Sequence, residues 1–330
     1  MDIKTPCRIL QFRNCLIIAL SLNCITVSLQ AQDNNSPDKD YSQKAVLVTG
    51  ASTGIGRNIA QRLASEGYFV YAGARKEKDL KELNAIENVE AIRLDVTVQQ
   101  EIDAAVKHVS EAGRGLYGLV NNAGVIIIAP LIEVEEDDLD FLFDVNIYGP
   151  YRVTKAFSGL IIESKGRIST IGSISGILSG ALAGPYSMSK HAIEAYTDSL
   201  SSEMERVGVK VSVVEPGNYK SMIFGSLKKR IRAQGKSFEG SLFEEELTSL
   251  MAGPDSQQTD GVEPDAVSDA VLHALFDENP KIRYMVVPTQ QQAELTIKKA
   301  IQELVQLNEG HKYSYDRDSL VKMLDEALLQ

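Results

Sequence analysis

The stretch Lys44-Ala-Val-Leu-Val-Thr49-Gly50-Ala-Ser-Thr-Gly54-Ile-Gly56 joins a short apolar run to three closely spaced glycines. The apolar run predicts a buried strand, and the apolar spacing that begins at Ile55 predicts that a helix follows. Glycine allows the tight turn between them, and the N–H groups of a helix N-terminus attract anions. The stretch therefore predicts a cradle for a pyrophosphate, the alternative being a tight turn without a ligand. The cradle residues are Gly50, Ser52, Thr53, Gly54, Ile55 and Gly56.

Strand and helix signals alternate along the rest of the chain. Strand-like runs occupy residues 44–49, 68–74, 89–95, 115–121, 166–172, 208–215 and 282–287. Helical periodicity lies between them, and its longest stretches cover 135–164 and 185–206. This alternation predicts one α/β domain whose doubly wound parallel sheet carries helices on both faces. In such a fold the ligand binds beyond the carboxyl ends of the strands.

The end of the second predicted strand bears on the choice of dinucleotide. An NAD-binding site usually places an acidic residue here, which bonds the ribose 2′-hydroxyl. This chain has Ala74 followed by Arg75, and a guanidinium suits a 2′-phosphate because it is planar and permanently charged. The sequence therefore favours NADP(H) and leaves NAD(H) open. The alternative is that Arg75 is a surface residue, since the charged run Lys76–Asp79 follows it.

Ser173, Tyr186 and Lys190 carry the chemistry that the sequence predicts. Tyr186 follows Pro185, which suits the first turn of a helix, so Lys190 lies one turn later on the same face. A phenol ionises near pH ~10, and lowering that pKa by roughly three units takes about 4 kcal/mol. We expect the Lys190 ammonium to lower the Tyr186 pKa, so that Tyr186 transfers a proton while Ser173 holds the substrate oxygen. The other Tyr-x-x-x-Lys match, Tyr151–Lys155, lacks such a serine upstream and is interpreted as an ordinary helical pair.

Together these motifs resemble the short-chain dehydrogenase/reductase family, in its single-domain branch. The matching pieces follow the family's order and are Thr49–Gly56, Leu94–Thr97, Asn121–Gly124, Asn146, Ser173, Tyr186, Lys190 and Pro216-Gly217. Three segments further resemble the retinol and hydroxysteroid dehydrogenases: Tyr68–Arg75, Val211–Gly217 and Arg283–Pro288. The resemblance implies a Rossmann-type domain over residues 41–290, with a substrate lid at 218–262.

The resemblance also implies roles for individual residues. Asn146 would complete a catalytic set with Ser173, Tyr186 and Lys190 by holding the water chain that feeds protons to Lys190. The further cofactor contacts that it implies are Asp95, Val96, Asn122, Ala123, Gly124, Tyr186, Lys190, Pro216 and Gly217. With NADPH as the partner, the sequence favours reduction of an apolar ketone or aldehyde, and steroid-like or retinoid-like secondary alcohols belong to the same substrate class. The family further implies a homo-oligomer.

Three apolar groups are candidates for the substrate pocket or for the core. They are Ile126–Ile128, Ile177-Leu178 and Met222–Phe224. Their hydrophobicity suits contact with an apolar ligand, but the same property suits burial in the protein interior. The sequence leaves both interpretations open.

Net charge and cysteine content bear on which partners, disulfides and metal sites to expect. The chain has 330 residues and a formal net charge of −11, which disfavours nucleic acid and anionic lipid as partners. Its three cysteines, Cys7, Cys15 and Cys24, all precede the predicted domain. Neither a disulfide framework nor a cysteine-ligated zinc site is therefore expected in that domain, and we expect no metal.

The two ends of the chain are predicted to lie outside the domain. Residues 1–40 resemble a signal or membrane anchor with a linker, because basic residues precede an apolar run and a polar stretch follows Ala31. This interpretation implies export, or membrane association through residues 14–31, and the alternative is a misplaced start codon and a cytoplasmic enzyme. Residues 291–330 are predicted to form a helical extension that packs on the subunit, supports a dimer or covers the substrate mouth.

Other function classes stay open on sequence alone. A catalytically silent NAD(P)-binding sensor or scaffold would share the fold, although it would not need Asn146, Ser173, Tyr186 and Lys190 together. A nucleotide-sugar epimerase or dehydratase would usually have a different glycine spacing and a larger C-terminal domain. A membrane-tethered structural protein rests only on residues 1–31.

Overall fold

The computed structural model describes residues 44–253 and 261–329. Within these ranges the strands are β1 Ala45–Val48, β2 Phe69–Ala74, β3 Val89–Arg93, β4 Gly118–Asn121, β5 Arg167–Ile171, β6 Lys210–Pro216 and β7 Arg283–Val286. The α-helices are α1 Gly54–Ser65, α2 Glu77–Leu83, α3 Gln99–Glu111, α4 Glu136–Phe143, α5 Gly149–Glu163, α6 Gly184–Glu205, α7 Ile223–Gln234, α8 Glu244–Ala252, α9 Asp265–Phe276, α10 Gln290–Asn308 and α11 Arg317–Leu328. All seven predicted strands are confirmed. The predicted signal-like segment, its cysteines and residues 254–260 of the predicted lid lie outside the described residues.

The seven strands form one parallel sheet in the order β3-β2-β1-β4-β5-β6-β7. From β1 the chain builds outward through β2 and β3, and it then returns to add β4 on the other side of β1. The loops that leave β1 and β4 therefore run in opposite directions and open a crevice at their carboxyl ends. This confirms the predicted α/β fold and places the crevice beside the glycine loop.

Helices pack on both faces of the sheet. Along β1, Val46 and Val48 belong to one apolar layer and Leu47 belongs to the other, because successive strand residues point to opposite faces. The first layer includes buried residues of α1 and α9, such as Ile59 and Val271. The second layer includes buried residues of α3 and α5, among them Ile102, Val153 and Phe157. Because both faces are covered, β1 reads in the sequence as an unbroken apolar run.

The helix predicted over 135–164 is interrupted. α4 ends at Phe143, the segment Asp144–Tyr148 forms a π-helical turn, and α5 starts at Gly149. A Cβ atom on Gly149 would lie 2.7 Å from Cγ2 of Val96, so the chain passes close to the loop after β3 here. The predicted helical stretch is confirmed, but apolar periodicity does not reveal the extra residue in the turn that separates its two α-helices. Such π turns are frequent at functional sites, and this one contains Asn146.

The C-terminal region is helical, as the sequence predicted. The hydroxyl oxygen of Thr289 caps α10 by accepting a hydrogen bond from the backbone N–H of Gln292 at 3.3 Å. Thr296 of α10 is fully buried, whereas Ile297 and Ile301 are about half exposed. Within the described ranges, no helix combines the length and the apolarity needed to cross a membrane.

Candidate active site

The glycine loop between β1 and α1 is fixed to the loop that follows β4. The hydroxyl oxygen of Thr49 accepts hydrogen bonds from the backbone N–H groups of Asn122 and Ala123, at 2.9 and 3.0 Å. The side-chain amide of Asn122 donates to the carbonyl oxygens of Thr49 and Gly50, at 2.9 and 3.1 Å. Gly50 has φ +64°, and a Cβ atom on it would lie 2.8 Å from Cα of Ala123. The two loops therefore form one unit in which only glycine fits at position 50.

The N-terminus of α1 suits a pyrophosphate. The side chain of Thr53, the residue before α1, makes no capping hydrogen bond to this end of the helix, and the first turn of α1 carries no acidic residue. The exposed N–H groups and the helix dipole therefore favour an anion. Gly54 has φ +57°, and a Cβ atom on Gly56 would lie 2.2 Å from Nδ2 of Asn122. Glycine at position 56 thus lets the first turn of α1 pack against the Asn122 side chain, which holds the helix N-terminus beside the loop after β4.

An open cleft of ≈520 Å³ extends from this cradle to the carboxyl ends of β5 and β6. The structure brings together along it every site residue predicted from the sequence except Asn146. The lining residues from that prediction are Gly50, Ser52, Thr53, Gly54, Ile55, Gly56, Arg75, Asp95, Val96, Asn122, Ala123, Gly124, Ser173, Tyr186, Lys190, Pro216 and Gly217.

Arg75 and Asp95 form the far rim of the cleft. The Arg75 side chain is 60% exposed, and its Nη1 lies 3.4 Å from Oδ2 of Asp95. The other carboxylate oxygen of Asp95 accepts hydrogen bonds from the backbone N–H and the hydroxyl of Thr97, at 3.0 and 2.8 Å. Burial alone would raise the pKa of Asp95, but the Thr97 hydrogen bonds and the Arg75 charge outweigh it and lower that pKa. Asp95 is therefore ionised, and Arg75 keeps N–H groups facing solvent.

Ser173, Tyr186 and Lys190 meet at the other end of the cleft. Ser173 caps a short 3₁₀ turn, Ile174–Gly176, and its hydroxyl lies near enough to the Tyr186 phenol to lower the pKa of that phenol. Nζ of Lys190 lies 5.6 Å from the centre of the Tyr186 ring and donates to the carbonyl oxygen of Ile171 at 2.8 Å. These groups can hold an oxygen atom of a ligand and exchange a proton with it.

The pKa values of Tyr186 and Lys190 correct the sequence prediction. Burial raises the pKa of Tyr186 to about 12, and the hydrogen bond from Ser173 opposes this only in part. Burial lowers the pKa of Lys190 to about 8, against the attraction of the Glu194 carboxylate. The prediction that Lys190 lowers the Tyr186 pKa is therefore wrong for this structure. Burial of the phenol dominates its pKa, and the Lys190 ammonium donates to the Ile171 carbonyl oxygen.

Asn146 lies behind the cleft, where it is 2% exposed. Its side-chain oxygen accepts a hydrogen bond from the backbone N–H of Val125 at 2.8 Å. Its side-chain nitrogen donates to the Val125 carbonyl oxygen at 2.9 Å and to the Ser189 hydroxyl at 3.0 Å. Asn146 thus connects the π turn to the chain leaving β4 and to α6.

Two contributions to the site were missed by sequence reasoning. One is the role of Thr49, which belongs to the predicted phosphate loop but whose hydrogen bonds join loops that are far apart in the sequence. Gln292 is the other: it lines the cleft, and its side-chain oxygen accepts a hydrogen bond from the backbone N–H of Asn218 at 2.9 Å. The Thr289-x-x-Gln292 spacing, typical of a helix start, could have located the beginning of α10 but not this contact.

The apolar candidates divide between the cleft and its surroundings. Those that line the cleft are Ile126, Ile128, Leu178, Met222, Ile223 and Phe224. Ile127 instead lines a neighbouring cavity of ≈600 Å³, and Ile177 lines neither. The end of the cleft near Tyr186 is therefore mainly apolar.

α7, which follows the cleft, is attached to α4 through Asp138. This residue is 6% exposed, and its carboxylate accepts hydrogen bonds from Arg230 at 2.9 Å, from Gln234 at 3.2 Å and from Lys236. Burial alone would raise the pKa of Asp138, but these three partners outweigh it and hold the pKa below its usual value. The carboxylate therefore fixes the C-terminal end of α7 beside the neighbouring cavity of ≈600 Å³, which Asp138, Arg230 and Gln234 line.

The second Tyr-x-x-x-Lys match is an ordinary helical pair, as predicted. Tyr151 and Lys155 are exposed on α5, with 3.4 Å between the Lys155 nitrogen and the Tyr151 oxygen. Neither residue lines the cleft. In the described ranges no cluster of three or more His, Cys, Asp or Glu side chains could hold a metal ion.

Comparison with known proteins gives consistent matches. A family model described as short chain dehydrogenase matches residues 44–232. The chain is 34% identical to mitochondrial D-beta-hydroxybutyrate dehydrogenase of Bos taurus, over 73% of this chain and 76% of that protein. It is 32% identical to retinol dehydrogenase 7 of Rattus norvegicus, over 73% of this chain and 80% of that protein. A solved structure of a single-site variant of actinorhodin polyketide ketoreductase with NADPH has 28% identity and a TM-score of 0.62, over 76% of this chain and 98% of that one.

A parallel sheet with an anion cradle at its switch point defines a dinucleotide-binding α/β protein. Because the family model matches more than half of the chain, the chain belongs to the short-chain dehydrogenase/reductase family. The protein is an oxidoreductase that acts on CH–OH groups with NAD(P), and its substrate is a small molecule. A retinol dehydrogenase is among its relatives, as the resemblance seen in the sequence predicts, and a hydroxybutyrate dehydrogenase is equally similar.

Proposed function

We propose that this protein is an NADP(H)-dependent reductase of apolar ketones or aldehydes that uses Asn146, Ser173, Tyr186 and Lys190. One observation carries the proposal: a single cleft joins an anion cradle to a serine–tyrosine–lysine group beside an apolar wall. The substrate class includes steroid-like and retinoid-like carbonyls and the corresponding secondary alcohols. Oxidation of such an alcohol would use the same groups in reverse.

The cleft fits a dinucleotide along its length. The residues that would hold the cofactor are Gly50, Ser52, Thr53, Gly54, Ile55, Gly56, Arg75, Asp95, Val96, Asn122, Ala123, Gly124, Tyr186, Lys190, Pro216 and Gly217. When bound, the nicotinamide exchanges a hydride with the substrate carbon. Arg75 supports NADP(H) over NAD(H), because its exposed guanidinium lies where a 2′-phosphate is expected and Ala74 supplies no competing acid. The similarity to a ketoreductase solved with NADPH supports the same choice.

Tyr186 would give a proton to the substrate oxygen while Ser173 donates a hydrogen bond to that oxygen. The pKa of about 12 keeps the phenol protonated at neutral pH, which is the state that reduction needs. The Lys190 ammonium would stabilise the phenolate as it forms and then return a proton to it. Asn146 would keep Lys190 linked to solvent through water, because its hydrogen bonds fix the π turn next to α6.

The lid and the C-terminal extension complete the proposed organisation. Residues 41–290 would form the dehydrogenase domain, with a lid at 218–262 and an extension at 291–330. Ile223 and Phe224, at the start of α7, line the cleft and support a lid that covers an apolar substrate and excludes water. The contact between Gln292 and Asn218 supports a role at the cleft for α10, the first helix of the extension. Assembly as a homo-oligomer remains part of the proposal.

The decisive experiment replaces Tyr186 by Phe in the full-length protein. Fluorescence titration with NADPH and NADH measures cofactor binding, and a panel of apolar ketones, aldehydes and alcohols measures turnover. We expect tighter binding of NADPH than of NADH by the wild type, and turnover of the Tyr186→Phe variant reduced by about 100-fold or more with NADPH binding retained. Tyr151→Phe is the matched control, because it removes a hydroxyl from the other Tyr-x-x-x-Lys pair.

Three results would contradict the proposal at different points. Undiminished turnover by Tyr186→Phe would remove Tyr186 from the proton transfer. Cofactor binding by the wild type without turnover on the whole panel would favour a silent sensor. Failure to bind either dinucleotide would overturn the cofactor assignment.

A further inference from the structure

Glu194 and Glu215 place two carboxyl groups in one buried site behind the Ser173 turn. Glu194 lies on α6 one turn after Lys190, and its side chain is 14% exposed. Glu215 lies on β6 directly before Pro216, and its side chain is 3% exposed. Burying one carboxylate is costly unless it is paired, and two adjacent carboxylates also repel each other.

The positive charge near Glu194 and Glu215 is too small to balance two ionised carboxylates. Nε of Arg283, on β7, lies 3.2 Å from Oε2 of Glu194 and 3.8 Å from Oε1 of Glu215. The same guanidinium donates from Nη2 to Asp198 at 2.7 Å, so one positive charge faces three carboxyl groups. Lys190 is the other cation on this side of α6, and its ammonium donates to the Ile171 carbonyl.

Two buried oxygen atoms in this site lack a hydrogen-bond partner. Within the described ranges they are Oε1 of Glu194 and Oε1 of Glu215, neither of which is reached by a donor. A buried acceptor without a donor costs about 1–3 kcal/mol. One proton held between the carboxyl groups would give the pair a donor and would also remove one of the two negative charges.

We propose that Glu215 is protonated and donates a hydrogen bond to ionised Glu194, and that this acid–carboxylate pair is a positioning device for Ser173 and Lys190. The effect of the pair on Ser173 and Lys190 rests on the proposed function above. The protonation of Glu215 does not, because it is inferred from the contacts among Glu194, Glu215 and Arg283.

The electrostatics of the site support this arrangement. Burial, together with the nearby carboxylate of Glu194, raises the pKa of Glu215 to about 8, against the attraction of Arg283. Glu215 is therefore the partner that keeps a proton at neutral pH. Glu194 has the closer contact with Arg283, which favours its ionised form.

The pair contacts the chain on both sides of Ser173. A Cβ atom on Gly172 would lie 3.2 Å from Oε1 of Glu194, and one on Gly176 would lie 2.8 Å from it. Only glycine at these two positions lets the carboxyl group approach so closely. The charge of Glu194 also raises the pKa of Lys190 against the effect of burial. A change in the pair would thus alter both the Ser173 turn and the charge of Lys190.

The first test measures the proton in full-length Glu215→Gln and Glu194→Gln variants. At neutral pH we expect an infrared carbonyl band of a protonated carboxylic acid in the wild type and its loss in Glu215→Gln. The folded pKa of Glu215 lies above its ordinary value, so the folded chain holds an extra proton between about pH 4.5 and about pH 8. The melting temperature of the wild type should therefore fall as the pH rises across this window, and that of Glu215→Gln should fall less.

Glu205→Gln is the matched control, since Glu205 is exposed at the end of the same helix. It should keep both the infrared band and the wild-type dependence of the melting temperature on pH. A Glu215→Gln variant that also keeps both would overturn the shared proton.

The second test measures kcat/KM against pH with NADPH. Glu194→Gln should shift the alkaline limb to lower pH by about one unit, because Lys190 loses a neighbouring negative charge. Glu215→Gln should leave that limb in place, since Glu194 stays ionised. An unchanged limb in Glu194→Gln would overturn the coupling to Lys190. Absence of turnover in the wild type would instead overturn the proposed function, and the infrared and melting data would still decide whether the proton is shared.

Discussion

The side-chain amide of Asn146 pairs with both hydrogen-bonding groups of the Val125 backbone. It accepts from the N–H group at 2.8 Å and donates to the carbonyl oxygen at 2.9 Å. A further bond to the Ser189 hydroxyl reaches α6. Since Tyr186 and Lys190 also belong to α6, the geometry of the π turn is tied to the position of the reacting groups.

Replacing Asn146 by Ala should destabilise the protein and slow turnover. The substitution leaves the Val125 N–H group and carbonyl oxygen without their partner, and each buried unpaired group costs about 1–3 kcal/mol. We expect a loss of about 3 kcal/mol in the free energy of unfolding, measured in urea, and a large fall in kcat in the folded fraction. Asn84→Ala is the control, because Asn84 accepts one hydrogen bond from the Ala91 backbone at an exposed position. Full turnover by Asn146→Ala would show that the π turn needs no such support.

Replacing Arg75 by Ala should change the choice of cofactor. The Arg75 guanidinium is exposed at the rim of the cleft and makes only a 3.4 Å contact with Asp95. If it binds a 2′-phosphate, its loss should weaken NADPH binding by about tenfold, or about 1.4 kcal/mol, and leave NADH binding nearly unchanged. Fluorescence titration with both dinucleotides measures this ratio. Lys78→Ala removes a charge from the same run and should alter neither affinity; an equal loss for NADH in Arg75→Ala would contradict the assignment.

The glycine loop and the position of Tyr186 were predictable because their signals are local. Gly50 and Gly54 adopt the positive φ values that their turn requires, and Pro185 lies in the first turn of α6. Each signal lies within a few residues of the structure that it specifies. The sheet follows from alternating elements and the restricted ways in which parallel strands can be connected.

The features that could not be predicted depend on contacts between distant segments. Gln292 meets Asn218 across 74 positions of sequence. Glu194 and Glu215 are brought together only when α6 packs on β6. The raised pKa of Tyr186 depends on burial, which the spacing of Tyr186 and Lys190 does not reveal. For these residues the sequence specifies the element but not its neighbours.

Replacing Gln292 by Ala should weaken cofactor binding from outside the glycine loop. The Gln292 side chain holds the Asn218 backbone, and a Cβ atom on Gly217 would lie 2.1 Å from its Oε1 atom. Losing one hydrogen bond of this kind should weaken NADPH binding by about 1 kcal/mol, or about fivefold. Gln291→Ala, on the exposed neighbouring position, is the control for helix stability. Equal NADPH affinities for the two variants would remove α10 from the site.

Lys190 and Glu215 should change the stability of the protein in opposite directions as the pH rises. Burial lowers the Lys190 pKa from 10.5 to about 8, so the folded chain holds fewer protons than the unfolded chain between these values. Stability from this group therefore rises with pH from about 8 to about 10.5, whereas the effect of Glu215 lies below about pH 8.

Removing Lys190 tests that window directly. The stability of Lys190→Met minus that of the wild type should be larger near pH 7 than near pH 10.5, by about 3 kcal/mol. The reason is that burying the Lys190 amine is costly only while the amine is charged. In the wild type, reductive kcat/KM should fall above about pH 8 as the ammonium that supports Tyr186 is lost. Thermal melts and rate profiles over this range measure both effects. Lys155→Met, on the exposed helical pair, should show neither, and a rate profile that stays flat to pH ~10 would separate Lys190 from proton supply.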